Sequence, residues 1–422
     1  MPGRVTFAVT AAPSLSVIVG HVDYLAEQGW QVDVVVGEAV DRALFPRAGV
    51  HVLRMRRGTS PASDARALAE WRRLLKRLRP DVLVAANPKA SLLALAAARS
   101  VGVPQRVWWL WDLRHFDRAS RMRRRVELAA ERLATVTIAG SASLADEVVA
   151  AGVTHRPLVL GSGAVAGVDL DVFYPADGPT PEESGDFLDL RESSRATPRP
   201  PTVVCAGRLA GDRGLDYLTE IWPQVQSQVP AARLIIAGGS DPLDPPGPAL
   251  EFLIAHPGVE FRGYVEDVAE LLRGCDVLLE PATSAWLPEV VLEAAATAVP
   301  TVGWNVPGLR DTVDAQTGIL LSPGDVAGFV DATTALLTDP ARARAMGAAA
   351  REFVAERFER TRVERLFAEL LEGLVDERVA EPRGSGNPQA GGDGTSEVPV
   401  TPSIDLRSPA AHTNGSRGRR RR

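Results

Sequence analysis

The chain has 422 residues, a formal net charge of −6 and 45% hydrophobic residues. This length predicts at least two domains, and the hydrophobic content is ample for packed cores, which excludes a mostly disordered chain. No apolar run approaches the roughly 18 residues of a membrane-spanning helix, and no charged-then-apolar leader opens the sequence. Cys205 and Cys275 lie in apolar, strand-like runs and are predicted to be buried free thiols of a cytoplasmic protein.

Strands and helices are predicted to alternate over the first 139 residues. The predicted strands are residues 4–10, 32–36, 50–55, 80–85, 105–110 and 135–139, and the predicted helices are residues 14–28, 63–78, 91–99 and 116–133. This alternation is typical of βαβ units and predicts an α/β fold with a doubly wound parallel sheet.

The alternation resumes at residue 202 after a polar, proline-rich stretch, residues 176–200, that is typical of an interdomain connection. Predicted strands are residues 203–206, 233–237, 259–262, 277–279 and 300–304, and residues 340–374 are predicted to be helical. After Glu377 the composition turns to Gly, Pro, Ser and Arg, which predicts a disordered basic tail. A solvated extension is favoured there over contact with anionic lipid or nucleic acid.

The chain is organised around residues 277–304, which are predicted to form a strand, a loop, a helix and a second strand. Pro288 is predicted to occupy the first helical position, since a proline there sacrifices no intrahelical hydrogen bond. The N-terminus of this helix would face the carboxyl end of a parallel sheet, where unpaired N–H groups and the helix dipole bind anions. Glu293 lies about one turn into the helix, within reach of hydroxyl groups on a ligand whose phosphates sit at the helix start.

A second anion site is predicted at the glycine-rich turn from Gly207 to Gly214, which follows a buried strand and opens a helix. Glycine lets the backbone approach a pyrophosphate closely, and Arg208 and Arg213 supply the charges that neutralise it. A surface turn with two solvated arginines is the alternative interpretation. The pairing of this turn with the helix that carries Glu293 favours a ligand site.

These residues resemble the retaining GT-B glycosyltransferases of the family 4 or group 1 type, in the branch that builds capsular and exopolysaccharide chains. Pro288-x-Val290-x-x-Glu293-Ala294 is similar to the donor-binding helix of that family, and Gly207-Arg208-Leu209 with Arg213-Gly214 is similar to its phosphate-binding turn. The resemblance covers about residues 1–375. It implies two Rossmann-like domains that face each other across a cleft, with a C-terminal helix that crosses back.

The resemblance implies five segments along the chain. They are an acceptor-side domain at residues 1–175, a linker at 176–200, a nucleotide-sugar donor domain at 201–358, a crossover helix at 359–376 that packs on the first domain, and the basic tail at 377–422.

The resemblance also implies roles for single residues. Arg208 and Arg213 would be catalytic, because they would stabilise the departing diphosphate; Gly207, Tyr264, Leu287, Val290 and Glu293 would bind the donor. No metal or other cofactor is implied, and Asp169-x-Asp171 is interpreted as a structural turn.

At three places the sequence lacks a polar residue of the family pattern. Ala285 stands where the first Glu of a Glu-x7-Glu pattern would contact the donor sugar, Ala166 replaces an Asn, and Trp111 replaces an Arg.

The acceptor side is marked by Lys89, Asp112 and Arg114. Asn87 is predicted to cap a helix whose first turn contains Lys89, against the dipole preference. This position indicates either a bound anion or an exposed lysine, and the sequence favours neither. Asp112 and Arg114 follow an aromatic strand that could supply either core residues or a stacking platform for a sugar. Core is favoured for at least one of its aromatic residues, because alternate strand residues face inward. The arginine-rich segment that begins at Arg114 is interpreted either as a solvated face or as a contact with an anionic membrane surface.

The resemblance implies transfer of a sugar from a nucleotide-diphosphate sugar to a glycan or a polyprenyl-diphosphate-linked acceptor. Such an enzyme would work in the cytoplasm or at the inner face of a bacterial membrane, in cell-surface polysaccharide synthesis, with no nucleic acid partner. Two alternatives stay open: a catalytically impaired protein that binds a nucleotide or regulates a partner, and a sugar-nucleotide epimerase of the same architecture.

Overall fold

The structure is a computed structural model, which describes residues 2–9, 15–53, 61–111, 121–176, 199–240, 245–284 and 288–380. These residues form two parallel sheets of six strands each, flanked by helices. The predicted α/β class and the two doubly wound sheets are therefore confirmed.

The first sheet has the strand order β3-β2-β1-β4-β5-β6, and every pair in it is parallel. Its strands are β1 Arg4–Ala8, β2 Gln31–Val36, β3 Gly49–Val52, β4 Val82–Ala86, β5 Gln105–Leu110 and β6 Val136–Ala139. Its helices are α1 Ser16–Glu27, α2 Pro61–Leu78, α3 Pro88–Val101, α4 Arg121–Leu133 and α5 Ala142–Ala150.

The second sheet has the order β12-β11-β10-β7-β8-β9, again all parallel. Its strands are β7 Thr202–Ala206, β8 Arg233–Ala237, β9 Val259–Gly263, β10 Val277–Glu280, β11 Thr301–Trp304 and β12 Gly318–Leu321. The helices that follow residue 202 are α6 Leu215–Gln228, α7 Pro248–Ile254, α8 Val268–Arg273, α9 Glu289–Ala296, α10 Leu309–Thr312, α11 Val326–Thr338, α12 Pro340–Arg357 and α13 Arg360–Ala380. In both sheets the order reverses beside the first strand, and ligands of such sheets bind at that point, outside the carboxyl ends of the strands.

The central strands β4, β7, β8 and β10 are buried along nearly their whole length because helices cover both faces of each sheet. Trp108 and Trp109 on β5 illustrate this: both are 1% exposed, yet they belong to the cores on opposite faces. The prediction that aromatic residues of this strand form core is confirmed for both. Cys205 and Cys275 are buried and free, as predicted.

Helix α13 packs on the first sheet although it comes last in sequence. Phe367 stacks on Trp109 with ring centroids 4.7 Å apart and lies 4.8 Å from the ring of His21. The helix is also tied to the end of the first half of the chain, since the N–H of Val168 donates to Phe358 O at 2.8 Å and the N–H of Arg360 donates to Val168 O at 2.9 Å. Gly167 has a φ of 72°, and a Cβ there would lie 2.8 Å from the Cα of Arg360, so only glycine allows this close approach.

Several helix boundaries in the structure differ from those predicted from the sequence. Pro288 is the N-cap of α9, with φ −72° and ψ 110°, and the helix begins at Glu289 instead of at the proline. Asn87 stands at the N-cap of α3 with a φ of 67°, but its side chain makes no capping hydrogen bond. The helical region predicted at 340–374 consists of α12 and α13, and α13 continues to Ala380, past the predicted start of the tail. Residues 381–422 lie outside the described part.

No helix in the described part of the chain is long and apolar enough to cross a membrane.

Candidate active site

The glycine-rich turn lies directly after β7, the strand at which the order of the second sheet reverses. Gly207 has a φ of 134°, a region that side-chain-bearing residues rarely adopt, and its N–H donates to Ala237 O at 3.0 Å. Gly214 closes the turn with a φ of 74°, and a Cβ there would collide with Pro281 O. Both glycines are therefore required by the backbone, and the turn is built to lie close against the loop that follows β10.

The two arginines of this turn each face a carboxylate. Arg208 Nη2 donates to Asp212 Oδ1 at 3.0 Å, and both side chains are a little under one-third exposed. Arg213 Nη2 donates to Glu280 Oε2 at 2.9 Å, where the carboxylate is 2% exposed. The turn therefore presents two guanidinium groups whose charges are compensated by the chain itself.

Glu280 lies within this candidate site and was not revealed by the sequence, since it ends a strand predicted only as an apolar run. Burial raises the pKa of its carboxyl, and the charge of Arg213 offsets part of that rise. Burial likewise raises the pKa of the neighbouring Cys205 thiol to about 12, so this cysteine stays protonated. The signal that could have found Glu280 is a carboxylate at the carboxyl end of a central strand, one residue before a loop.

Helix α9 contributes Glu293, whose side chain is half-buried. Burial, and then the negative charge of Glu289 one turn earlier, raise the pKa of Glu293 to about 7. Near neutral pH this carboxyl can thus be found in either protonation state, as an acceptor or as a donor of hydrogen bonds. The side chain of Val290 is buried in the core, so only its backbone can meet a ligand.

Tyr264 follows β9 at the same edge of the sheet and is 81% exposed. Leu287 and Ala285, predicted to lie near the donor, fall outside the described residues. So do Asp112 and Arg114, and the side chain of Lys89 is likewise not described.

Trp111 follows β5 at the carboxyl edge of the first sheet. It is half-buried and packs edge-on against Trp109 at 5.6 Å. Of the arginine-rich segment, Arg125 and Arg132 on α4 are exposed.

Asp169 is used structurally. Its Oδ1 accepts the N–H groups of Asp171 and Val172, and its Oδ2 pairs with Arg360 at 2.9 Å, at the start of α13. Among the described residues, no group of three or more His, Cys, Asp or Glu side chains is placed to hold a metal ion.

The two halves of the molecule also meet through α10 and α5. The carboxylate of Asp311 accepts the backbone N–H of Ser143 at 2.9 Å and its hydroxyl at 3.0 Å. A side chain of the second half thus caps a helix N-terminus of the first half, a contact that sequence reasoning missed.

Two family models match the chain. The one described as "Glycosyl transferases group 1" matches residues 200–339, and the one described as "Glycosyltransferase Family 4" matches residues 16–165. The first match covers the turn at Gly207 and helix α9, and the second covers most of the first sheet.

Similar proteins agree with these matches. The capsular polysaccharide biosynthesis glycosyltransferase CapM of Staphylococcus aureus is 22% identical over 363 residues, covering 84% of this chain and 93% of that protein. A GDP-mannose-dependent alpha-(1-6)-phosphatidylinositol monomannoside mannosyltransferase of Mycolicibacterium smegmatis is 34% identical over 232 residues, which are 51% of this chain and 56% of that protein.

Among solved structures, HepE of Anabaena in complex with UDP and glucose superposes with a TM-score of 0.72 at 18% identity, covering 88% of this chain and 100% of that one. At this identity the likeness shows the fold. The two six-stranded parallel sheets with their flanking helices match the GT-B architecture.

Proposed function

Because this chain belongs to the glycosyltransferases of the group 1 and family 4 type, we propose that it is a retaining enzyme that takes its sugar from a nucleotide-diphosphate donor. The acceptor is a glycan or a polyprenyl-diphosphate-linked lipid, and the product belongs to a capsular or exopolysaccharide chain. The observation that carries the proposal is the pair of guanidinium groups of Arg208 and Arg213 on a glycine turn at the reversal point of the second sheet.

The donor half of the proposal follows from charge and position. A diphosphate at the Gly207 turn would meet backbone N–H groups and two arginines, and it would lie beside the N-terminus of α9. Glu293, one turn into that helix, would accept hydrogen bonds from the ribose hydroxyls. Tyr264 and the backbone at Val290 and Leu287 would complete the donor pocket. Support comes from HepE, whose structures hold UDP and UDP-glucose.

The chemical step then needs charge stabilisation more than a nucleophile. As the bond between sugar and diphosphate breaks, negative charge develops on the leaving phosphate, and preorganised arginines stabilise it. In our proposal the acceptor hydroxyl attacks the face from which the diphosphate departs and passes its proton to the departing phosphate oxygen, so the anomeric configuration is retained without a metal ion. Closure of the two halves would exclude water and bring the acceptor to the donor.

In our proposal Lys89, Asp112 and Arg114 act on the acceptor. The basic segment around α4 would contact anionic lipid at the inner face of the membrane, where a lipid-diphosphate acceptor resides. The name of the S. aureus relative supports a role in capsular polysaccharide synthesis.

The test is a transfer assay with UDP-, GDP- and ADP-sugars and a polyprenyl-diphosphate-linked acceptor, with and without EDTA. We expect acceptor-dependent release of one nucleoside diphosphate, unaffected by EDTA, and a product whose anomeric configuration equals that of the donor. Inversion at the anomeric carbon would contradict the retaining mechanism, and a requirement for a divalent cation would contradict metal independence.

The second candidate is a catalytically impaired protein that binds a nucleotide, favoured by the absence of a carboxylate at Ala285. The variant Ala285→Glu separates the two candidates. A gain in turnover means that sugar recognition was only weakened in an active transferase. Nucleotide binding without turnover in either form would favour the impaired protein.

A further inference from the structure

Glu280 is a fully buried carboxylate at the centre of the candidate site, and the proposed function assigns it no role. It is the last residue of β10, which lies between β7 and β11. It is 2% exposed, and isolated charges are costly at such depth unless they are paired and hydrogen-bonded. Its presence in an otherwise apolar strand therefore requires a partner.

That partner is Arg213, across the reversal point of the sheet. Nη2 of Arg213 lies 2.9 Å from Oε2 of Glu280, and the backbone N–H of Ala282 also bonds the carboxylate. The groups that act electrostatically on Glu280 are Arg213 and Asp212 on the turn, and Cys205 lies beside it on β7. The carboxylate is thus held on two sides by its own loop and by the turn.

The guanidinium of Arg213 also packs against the glycine-rich turn. A Cβ on Gly207 would lie 3.1 Å from Nη2 of Arg213 and 3.8 Å from its Cζ, so the guanidinium packs directly against the glycine. The side chain of Arg213 is 17% exposed to solvent. One edge of the fork is thus committed to Glu280, and the side chain as a whole stays partly exposed to solvent.

We infer that Glu280 is a positioning residue that fixes the Arg213 guanidinium against Gly207, so that its remaining N–H donors meet the donor diphosphate. This inference rests on the proposed function. Arginine suits this double role because its planar fork can bond a carboxylate with one edge and a phosphate with another. Without Glu280, the long side chain would lose its anchor and would sample rotamers that do not face the phosphates.

If the ion pair between Glu280 and Arg213 served only to stabilise the fold, a different result would be expected. Loss of such a pair would weaken the fold and would lower the affinity for every ligand of the domain alike. A positioning role instead affects the phosphates selectively, because the nucleoside part lies on α9 and after β9 in the proposed function. The ratio of affinities for a nucleoside diphosphate and its monophosphate therefore separates the two roles.

The experiment is calorimetric titration of the full chain with the pairs UDP and UMP, GDP and GMP, and ADP and AMP. Wild type, Glu280→Leu, Glu280→Gln and Arg208→Ala are compared at one pH and salt concentration. Asp276→Asn is the matched control, since Asp276 forms an ion pair with Arg199 at 2.6 Å, just before the opposite end of β10. Thermal unfolding confirms that each variant is folded before titration.

For Glu280→Leu we expect the diphosphate affinity to fall at least about 10-fold, with a change of less than about 2-fold for the monophosphate, as expected for a lost charge-assisted contact. Glu280→Gln keeps an oxygen acceptor for Nη2 and should stay within about 3-fold of wild type, because one neutral hydrogen bond suffices to orient the fork. Asp276→Asn should bind both ligands as wild type does.

Equal losses for both ligands, no loss in Glu280→Leu, or a loss in Glu280→Gln as large as in Glu280→Leu would overturn the positioning role. If Arg208→Ala loses the diphosphate while Glu280→Leu does not, the inference fails and the proposed function stands. If wild type binds none of the nucleoside diphosphates, both fail together.

Discussion

Glu364 offers a test of how tightly α13 packs on the first half of the chain. It is 6% exposed in the first turns of the helix and faces α1, where a Cβ added to Gly20 would collide with its carboxylate. Burial raises the pKa of Glu364 from 4.5 to about 7, although Arg360 partly opposes the rise. We predict that Glu364→Gln stabilises the protein, and does so more at pH 8 than at pH 5.

The sign follows from linkage. A carboxyl whose folded pKa is raised gives its full stability below the unfolded pKa and loses it as the pH rises through the folded pKa. With pKa values of 4.5 and about 7, the wild-type loss is about 3 kcal/mol at pH 8 and about 0.8 kcal/mol at pH 5. Water that reaches the carboxyl screens the charge, so we expect about 1–2 kcal/mol at pH 8.

Thermal unfolding of the full chain at pH 5 and pH 8 measures the effect. A gain of about 1–2 kcal/mol should raise the unfolding midpoint of the first half by about 2–8 °C at pH 8, and clearly less at pH 5. Glu372→Gln is the control, because Glu372 is exposed on the same helix and its loss should change the midpoint little at either pH. An equal gain at both pH values, or a loss at pH 8, would refute the reasoning.

Three further predictions concern the site and the contact between the halves. Burial raises the pKa of Glu293 to about 7, and the ionised carboxylate is the better acceptor for ribose hydroxyls. The affinity for the nucleoside, measured by calorimetry, should therefore fall as the pH drops from 8 to 6, and Glu293→Gln should remove this pH dependence. If the variant keeps the pH dependence of wild type, Glu293 is not the ribose contact. Gly207→Ala should weaken nucleoside diphosphate binding about 10-fold or more, because its φ of 134° strains alanine and its Cβ would press on Arg213; wild-type affinity in titrations would show that the turn does not touch the ligand. Asp311→Ala removes both hydrogen bonds to Ser143. It should increase the radius of gyration measured by small-angle scattering, while the nucleotide affinity stays within about 2-fold of wild type. Identical scattering curves for variant and wild type would show that this contact does not hold the halves together.

The fold was largely predictable from the sequence because helices cover both faces of each sheet. Buried strands then appear in the sequence as short apolar runs. Successive residues of such a strand face the cores on the two sides of the sheet in turn, as Trp108 and Trp109 do on β5. Helix boundaries were less predictable. The start of α9 depends on the backbone angles of Pro288 and not on its residue type, and α5 escaped notice although its N-cap Ser141 accepts the N–H of Leu144.

The elements of the candidate site could be predicted only where their residues are close together in the sequence. The turn at Gly207 and the helix that bears Glu293 can be read locally, because glycine, arginine and a helix N-terminus act within a few residues of each other. Glu280 and Asp311 act through partners 67 and 168 residues away. Such pairings depend on strand order and on how the halves pack, which no local pattern encodes.

The central claim is that the Gly207 turn binds the diphosphate of a nucleotide donor. Calorimetric titration of the full chain with UDP, GDP and ADP, repeated with Arg208→Ala, tests it most directly. We expect one nucleotide to bind, and its affinity to fall about 10- to 150-fold in the variant, as for the loss of a charged hydrogen bond. Binding of none of the three, or equal binding by wild type and variant, would contradict the account.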